Sequence, residues 1–323
     1  MDVADGGKPA EGPPGPGWLP IRVHQTGGQM LLDWVFFGDR RLAEPFYEDS
    51  VVQVRTGGGA PLVSAPLADL ANWTGPSLEP TGLIFHMSRC GSTLASQMLA
   101  ACPANIVVSE AGPVDAMVRL EATDEKRIKL LRAMVSALGQ VRNPGESRYV
   151  LKLDSWHARA LPLWRRAFPQ TPWAFLYREP AEVMVSHARR TGMQMVASLV
   201  PPAFYGIDPD GQTWGEDYRA QVLAAICGSA LREHASGGLL VSYDELPRAV
   251  WTRILPHFGV TPSAEELAAM AAAARFDAKS PGVPFSADAA AKRDQTTTAI
   301  DAAVERRLAE IYRKLECLRA SAG

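Results

Sequence analysis

The sequence predicts an α/β protein whose mostly parallel sheet is flanked by helices on both faces. Three observations lead there. From residue 82 onward, short apolar runs alternate with helical patterns, as expected of strands buried on both faces and crossed over by helices. Within Gly82–Leu94 and Pro172–Arg190, an apolar run passes through a polar turn straight into a helix start. The composition, 47% hydrophobic and 21% charged over 323 residues, suits a globular chain of one large domain.

Residues 1–17 are rich in Gly and Pro and lack an apolar core. They read as a disordered tail, neither signal peptide nor membrane anchor. Residues 18–323 read as a single domain that opens with a mixed segment, 18–80. That segment has strand-like runs at Trp34–Phe37 and Ser50–Arg55 and a Gly-rich loop at Thr56–Gly59. It forms either a cap over the substrate side or an edge of the sheet.

The alternating region then follows in order. Strand 83–87 leads to helix 93–101 and strand Asn105–Ser109. The spacing of Ile128, Leu131, Met134 and Leu138 predicts a helix over Asp124–Leu138. Strand Tyr149–Leu153, helix Trp156–Phe168, strand Trp173–Tyr177 and helix Ala181–Arg190 come next. A Pro/Gly-rich loop, Pro201–Gly215, precedes a long helix at Glu216–His234. Strand 239–242 and helices near 247–258, 263–274 and 299–319 complete the chain. Trp156, Trp164 and Trp173 serve the core, the favoured use, or one of them stacks on a ligand ring.

Several classes are disfavoured. Net charge is −2, from 33 basic and 35 acidic residues, so no basic field selects nucleic acid. No apolar run is long enough to span a membrane. Cys90, Cys102, Cys227 and Cys317 are scattered, without metal-ligand spacing or a disulfide framework, which fits a cytoplasmic protein.

The chemistry-bearing stretch is Gly82-Leu-Ile-Phe-His-Met-Ser-Arg-Cys-Gly-Ser-Thr-Leu94. Its strand–turn–helix pattern places unpaired N–H groups and a positive dipole end at the turn, which suits an anion. Arg89 adds a fixed charge, Gly91 allows close approach, and Ser92 and Thr93 add hydroxyls beside Leu94. At such a helix start the Cys90 thiol would ionise more easily, although a small residue filling the turn is its simpler use. The Gly-x-x-x-x-Gly-Lys-Ser/Thr signature is missing from the loop. In the second stretch, Arg178 stands at a strand end and Ser186 lies two helical turns beyond Pro180. A guanidinium and a hydroxyl at that spacing suit one phosphate group.

These segments resemble the sulfotransferases that use 3′-phosphoadenosine 5′-phosphosulfate (PAPS). Arg89-Cys90-Gly91-Ser92-Thr93 is similar to their 5′-phosphosulfate loop, with Cys where Ser is usual. Arg178-Glu-Pro180-Ala-Glu182-Val183-Met-Val-Ser186 matches their 3′-phosphate motif, and Ser-Tyr243-Asp-Glu-Leu246 looks like a later strand end. The resemblance spans roughly Leu83 to Val260 and implies the P-loop NTPase-like sulfotransferase fold. It also implies PAPS as donor, 3′-phosphoadenosine 5′-phosphate (PAP) as product, and no metal. Arg89 and the loop N–H groups would stabilise the leaving group, while Arg178, Ser186 and Tyr243 would hold the donor. Lys292 and Arg293 match, weakly, a basic loop that closes this site in relatives; by default they are a solvated charge pair.

The base is open. Glu110 lies close to the place of the catalytic Glu in the tyrosylprotein sulfotransferases, which the loop and base position most resemble; otherwise it is a surface or capping carboxylate. On the next strand, Asp154 stands where cytosolic sulfotransferases carry a His, and His157 comes three residues later. Asp154 is a base, an orienter of Lys152, or a helix cap before Trp156, the cap being favoured. Lys152 contacts the bridging oxygen or is an edge-strand lysine. The expected reaction is sulfuryl transfer to a hydroxyl or amine of a small-molecule or peptide acceptor. A nucleotide kinase and a non-catalytic PAPS- or PAP-binding protein are the alternatives. Neither the acceptor nor the oligomeric state has a signature in the sequence.

Overall fold

The computed structural model describes residues 12–208, 214–280, 282–284 and 292–321. Most of the anticipated tail, residues 1–11, lies outside them, as do residues 209–213 of the Pro201–Gly215 loop. Gly17 is fixed: its N–H donates to Gln140 Oε1 at 3.0 Å, so the ordered chain begins before residue 18.

Residues 18–66 build a separate antiparallel sheet rather than an edge of the parallel one. Strand β1 (Trp18–Thr26) pairs with β2 (Gln29–Phe36), and β2 with β3 (Leu62–Pro66). Between β2 and β3 the run Ser50–Arg55 is helical, part of α1 (Tyr47–Thr56), not a strand. Two β-branched valines side by side suggested a strand. Instead Tyr47, Ser50 and Val51 are buried on one side, a helical spacing that packing rewards. β1 packs on helices α3 and α4 of the main layer.

The second sheet has five strands of five residues, all parallel, in the order β5-β6-β4-β7-β8. They are β4 (Gly82–His86), β5 (Asn105–Ser109), β6 (Arg148–Lys152), β7 (Trp173–Tyr177) and β8 (Gly238–Ser242). β4, β5 and β7 are buried along their whole length, consistent with their continuous apolar text. Helices flank the sheet: α2 (Ser92–Ala100), α3 (Gly112–Val118), α4 (Asp124–Leu138), α5 (Leu161–Ala167), α6 (Pro180–Arg189) and α7 (Glu216–Glu233). The C-terminal region adds α8 (Leu255–His257), α9 (Ala264–Ala273), α10 (Thr298–Arg307) and α11 (Ala309–Ser321). Trp164 and Trp173 are fully buried and Trp156 nearly so.

Four helix expectations change. The predicted helix Trp156–Phe168 is a 3₁₀ turn, Ser155–Ala160, followed by α5 with Pro162 in its first turn. The stretch near 247–258 is a π-helical turn, Val250–Ile254, running into α8. The helix expected at 299–319 divides at Leu308, whose φ of −120° ends α10. Helix α3 was not anticipated. Pro113 occupies its first turn, where its missing N–H costs nothing.

The strand order fixes where a ligand belongs. From β4 the chain crosses toward β5, and from β7 it crosses the other way to β8, yet β4 and β7 are neighbours. The loops leaving these two C-terminal ends diverge and open a crevice, the usual ligand position in a doubly wound sheet.

Candidate active site at the sheet crevice

The two segments expected to bind anions, after β4 and after β7, flank this crevice. After β4, the loop Met87–Gly91 carries Arg89 and ends in Gly91, the N-cap of α2, with φ 80°. No side chain caps α2, so its first N–H groups face the crevice with their dipole intact. Ser92, Thr93 and Leu94 are buried in this first turn. The Cys90 thiol points away from the crevice and donates to the Leu176 carbonyl at 3.1 Å. Burial pushes that thiol up to about 11, which agrees with the favoured reading of Cys90 as a small residue filling the turn rather than an activated thiol. Arg89 reaches the Arg190 carbonyl at 3.0 Å.

At the end of β7, Arg178 is buried, and its Nε donates to Glu182 Oε2 at 2.5 Å, one helical turn away. Its guanidinium lies over the Tyr243 ring, 3.9 Å from the centroid. The same tyrosine abuts the first loop. A Cβ on Gly91 would stand 3.0 Å from the Tyr243 ring and 2.6 Å from Leu246. Tyr243 therefore joins the two segments, and only glycine fits its partner position. Ser186 is half-buried one turn beyond Glu182 on α6.

Glu182 also accepts from Arg293 at 2.8 Å, and Gln295 Oε1 accepts from Arg189 at 2.9 Å. The C-terminal segment thus docks beside the Arg178 site. Lys292 is buried rather than solvated, which corrects the default reading of Lys292-Arg293.

Beneath Arg89 lies a charged centre. Lys152, at the end of β6, has a fully buried side chain and pairs with Glu110 Oε1. It is not an edge-strand lysine, since β6 lies between β5 and β4. Its Nζ stands 4.8 Å from the centre of the Phe46 ring, which the N-terminal unit supplies. Burial disfavours the Glu110 carboxylate, but Lys152 and His86 outweigh it and hold the group well below the usual carboxylate range. His86 Nε2 lies 3.2 Å from Glu110 Oε1. Glu110 is bound to Lys152 at the backbone as well, its N–H donating to the Lys152 carbonyl at 2.7 Å. It is neither a surface carboxylate nor a cap.

Asp154 occupies the N-cap position of the 3₁₀ turn, but its side chain makes no capping hydrogen bond, so the favoured capping role is overturned. Burial first, then Glu110 and Asp115, push its pKa well above the carboxylate range. Its protonated form is favoured by that surrounding negative charge and burial. His157 is buried, with Nε2 at 3.0 Å from Asp115 Oδ1 and 3.7 Å from Asp154 Oδ2. Trp156 Nε1 and Arg119 bind Asp115 as well, at 2.7 Å each. Among the described residues, Asp115, Asp154 and His157 bring ligand atoms within 4.8 Å of one another. Those contacts already engage Asp115, so the trio is a buried polar network built around that carboxylate, in which His157 Nδ1 has no partner among the described residues.

Sequence reasoning missed three contributors. His86 was read as part of an apolar strand, and Phe46 had no motif. Lys279 Nζ stands 5.9 Å from the centre of the Phe46 ring, which Lys152 also approaches. Burial, then Arg89 and Lys152, push Lys279 down to about 8. The only signal for it was a basic residue before a Pro-Gly turn. Among the described residues, Ser88, Arg89 and Glu110 are the three non-glycine residues with positive φ, at 81°, 51° and 53°. Strain of about 1–3 kcal/mol each persists only where surroundings enforce it, commonly at functional sites.

The chain has a similar fold to several solved structures. The sulfotransferase STF9 from Mycobacterium avium aligns with TM-score 0.44 and 15% identity, over 75% of this chain and 78% of that one. The sulfotransferase domain from the curacin biosynthetic pathway gives 0.43 and 16%, over 75% and 98%. A sulfotransferase from Alicyclobacillus acidocaldarius gives 0.42 and 13%, over 75% and 96%. These similar structures are sulfotransferases. No protein-family model matches the chain, and no curated protein matches its sequence. Likenesses of this extent say nothing of activity. Among the described residues no helix is long and apolar enough to cross a membrane.

Proposed function

We propose that the protein is a sulfotransferase that moves a sulfuryl group from PAPS to a hydroxyl or amine, without a metal, in the cytoplasm. One observation carries this reading. Two anion-binding segments, at Arg89–Thr93 and at Arg178, flank the crevice between β4 and β7 and share Tyr243 as a common wall. A donor with separate 5′ and 3′ anionic groups needs two such grips; a single phosphate needs one. The uncapped α2 start and Arg89 suit the phosphosulfate end. Arg178, Ser186 and the docked Lys292-Arg293 segment suit the 3′-phosphate.

Transfer breaks the sulfur–oxygen bond to the 5′-phosphate and forms one to the acceptor oxygen or nitrogen. The leaving phosphate gains negative charge, which Arg89 and the α2 N–H groups offset. Glu110 takes the acceptor proton. With Lys152 on the same oxygen it is a weak base, because its charge is already satisfied. An anionic sulfuryl group nearby competes for the Lys152 ammonium, and Glu110 becomes more basic as that pairing loosens. Asp154 and His157 serve as a buried support behind Lys152.

Calorimetric titration with PAP tests the donor. Wild type should bind at micromolar concentration, Arg178→Ala should bind about 30-fold or more weakly, as loss of a charged hydrogen bond implies, and ATP with magnesium should give no signal. A wild type that binds ATP–magnesium and not PAP refutes the proposal in favour of a kinase.

A further inference from the structure

One buried ring at the site has no part in the transfer just described. His86 ends β4 and is 4% exposed. The Ser88 backbone N–H donates to its Nδ1 at 3.0 Å. A ring nitrogen that accepts carries no proton, so the neutral imidazole holds its proton on Nε2. Burial keeps the ring's pKa below its ordinary value although Glu110 and the Leu153 backbone pull the other way, with Lys152 adding to the burial effect. Nε2 is itself buried, lies 3.2 Å from Glu110 Oε1, and has no aligned hydrogen-bond partner among the described residues. An orphaned donor at that depth is costly unless something gives it a role.

The contacts of this ring coincide with the backbone strain. Ser88 and Arg89 hold positive φ on one side, and Glu110 does on the other. His86 touches both turns. We propose that His86 is a positioning residue coupling the anion loop to Glu110, one ring nitrogen fixing the Ser88 turn and the other aiming the carboxylate into the crevice. The imidazole has no internal torsion, so a shift of Ser88 around a bound anion reaches Glu110 through the ring. Nε2 completes its hydrogen bond when the loop closes on the donor. The identity of that anion rests on the sulfotransferase reading; the coupling does not.

Nitrogen-15 NMR of the full-length chain with labelled histidine tests this, the His86 signals being assigned from their loss in His86→Gln. The expected result is a neutral Nε2–H tautomer at pH 7.5, with both ring nitrogens shifting on addition of PAP. Two variants separate the contacts. His86→Asn places its amide where Nδ1 stands and keeps the loop; His86→Gln reaches the Nε2 position and releases Ser88. PAP affinity should fall less than about threefold in the first and about tenfold or more in the second, one hydrogen bond's worth. An Nδ1–H tautomer, a ring that protonates near pH 6.5, or equal PAP affinities in the two variants overturns the assignment. Should wild type fail to bind PAP, the donor reading falls, while the tautomer alone decides the role of His86. The tautomer also decides if a variant does not fold.

Discussion

Ser88, Arg89 and Glu110 show that the cost of this site is local and lies in the backbone. Gly91 avoids that cost, because its φ of 80° is open to glycine and the Tyr243 and Leu246 side chains fill the space a Cβ would take. Gly91→Ala should therefore lower PAP affinity at least about tenfold, since backbone approach and the tyrosine wall are lost together, while far-UV circular dichroism stays unchanged. Unaltered affinity in that variant would place the anion elsewhere. The Lys152–Glu110 pair allows a sharper test. Lys152 is wholly buried, whereas Glu110 keeps about a fifth of its side chain exposed. Glu110→Gln strands a buried ammonium and should cost about 3–5 kcal/mol in urea unfolding. Lys152→Met should cost less, and the double variant less than the sum of the two. Additive effects would mean that the two charges do not depend on each other.

At the scale of elements, α6 does most to hold the site. It opens with Pro180 in its first turn and a capping contact from Glu179. Its Glu182 binds Arg178 on one side and Arg293 on the other. One turn further on, His187 is fully buried and hydrogen-bonded with Gly192 and Gln194. Burial, then the charges of Arg89, Arg219 and Lys279, push His187 down to about 3. Above the ordinary imidazole value of 6.5 neither the folded nor the unfolded chain is protonated there. Below it only the unfolded chain takes up the proton, so stability falls as pH drops from about 6.5 toward 3. His187→Gln should flatten that part of the stability profile in urea titrations at successive pH values. An unchanged slope would show that His187 is protonated in the fold.

Over the whole molecule, the N-terminal sheet and the parallel sheet share one continuous core, from Leu19 and Trp34 to Leu83 and Met134. The join is polar as well as apolar. Gln140 on the loop after α4 accepts from the Gly17 N–H and donates to the Trp18 carbonyl, at 3.0 and 2.6 Å. From the same unit, Glu48 accepts from the Gly112 N–H at 3.1 Å, and the Phe46 ring is approached by both Lys152 and Lys279. The unit therefore sets one wall of the crevice, and we propose that 18–323 behaves as one domain. Calorimetry should show a single unfolding transition. Gln140→Ala, which takes a side-chain partner from three backbone groups, Gly17 N–H and the Trp18 and Ala137 carbonyls, should lower stability by about 2–4 kcal/mol without splitting that transition. A separate low-temperature transition would mean that the N-terminal sheet unfolds by itself.

The sequence by itself determined the parallel α/β layer and the two strand-to-helix turns. Five-residue apolar strands have few other homes, and a Gly-Ser-Thr turn or an Arg-x-Pro turn is written in adjacent residues. Local chemistry of that kind is legible because its partners are neighbours in the chain. The helix at Tyr47–Thr56 was misread for the opposite reason. Its burial is set by the layer beneath it, which outweighs the strand propensity of Val51 and Val52. The state of Glu110 was equally hidden. Its ion pair joins residues 42 apart in sequence, and its weight against desolvation depends on Lys152 being sealed in the sheet. The same holds for Asp154, where burial reversed a capping role, and for Lys292, which a charge pattern placed in solvent. Phe46, His86 and Lys279 carry no motif, since what brings them to the crevice is the strand order β5-β6-β4-β7-β8 and the docking of the chain ends upon it. Which groups are charged, paired or orphaned is a property of dielectric and distance, and only the tertiary structure decided those.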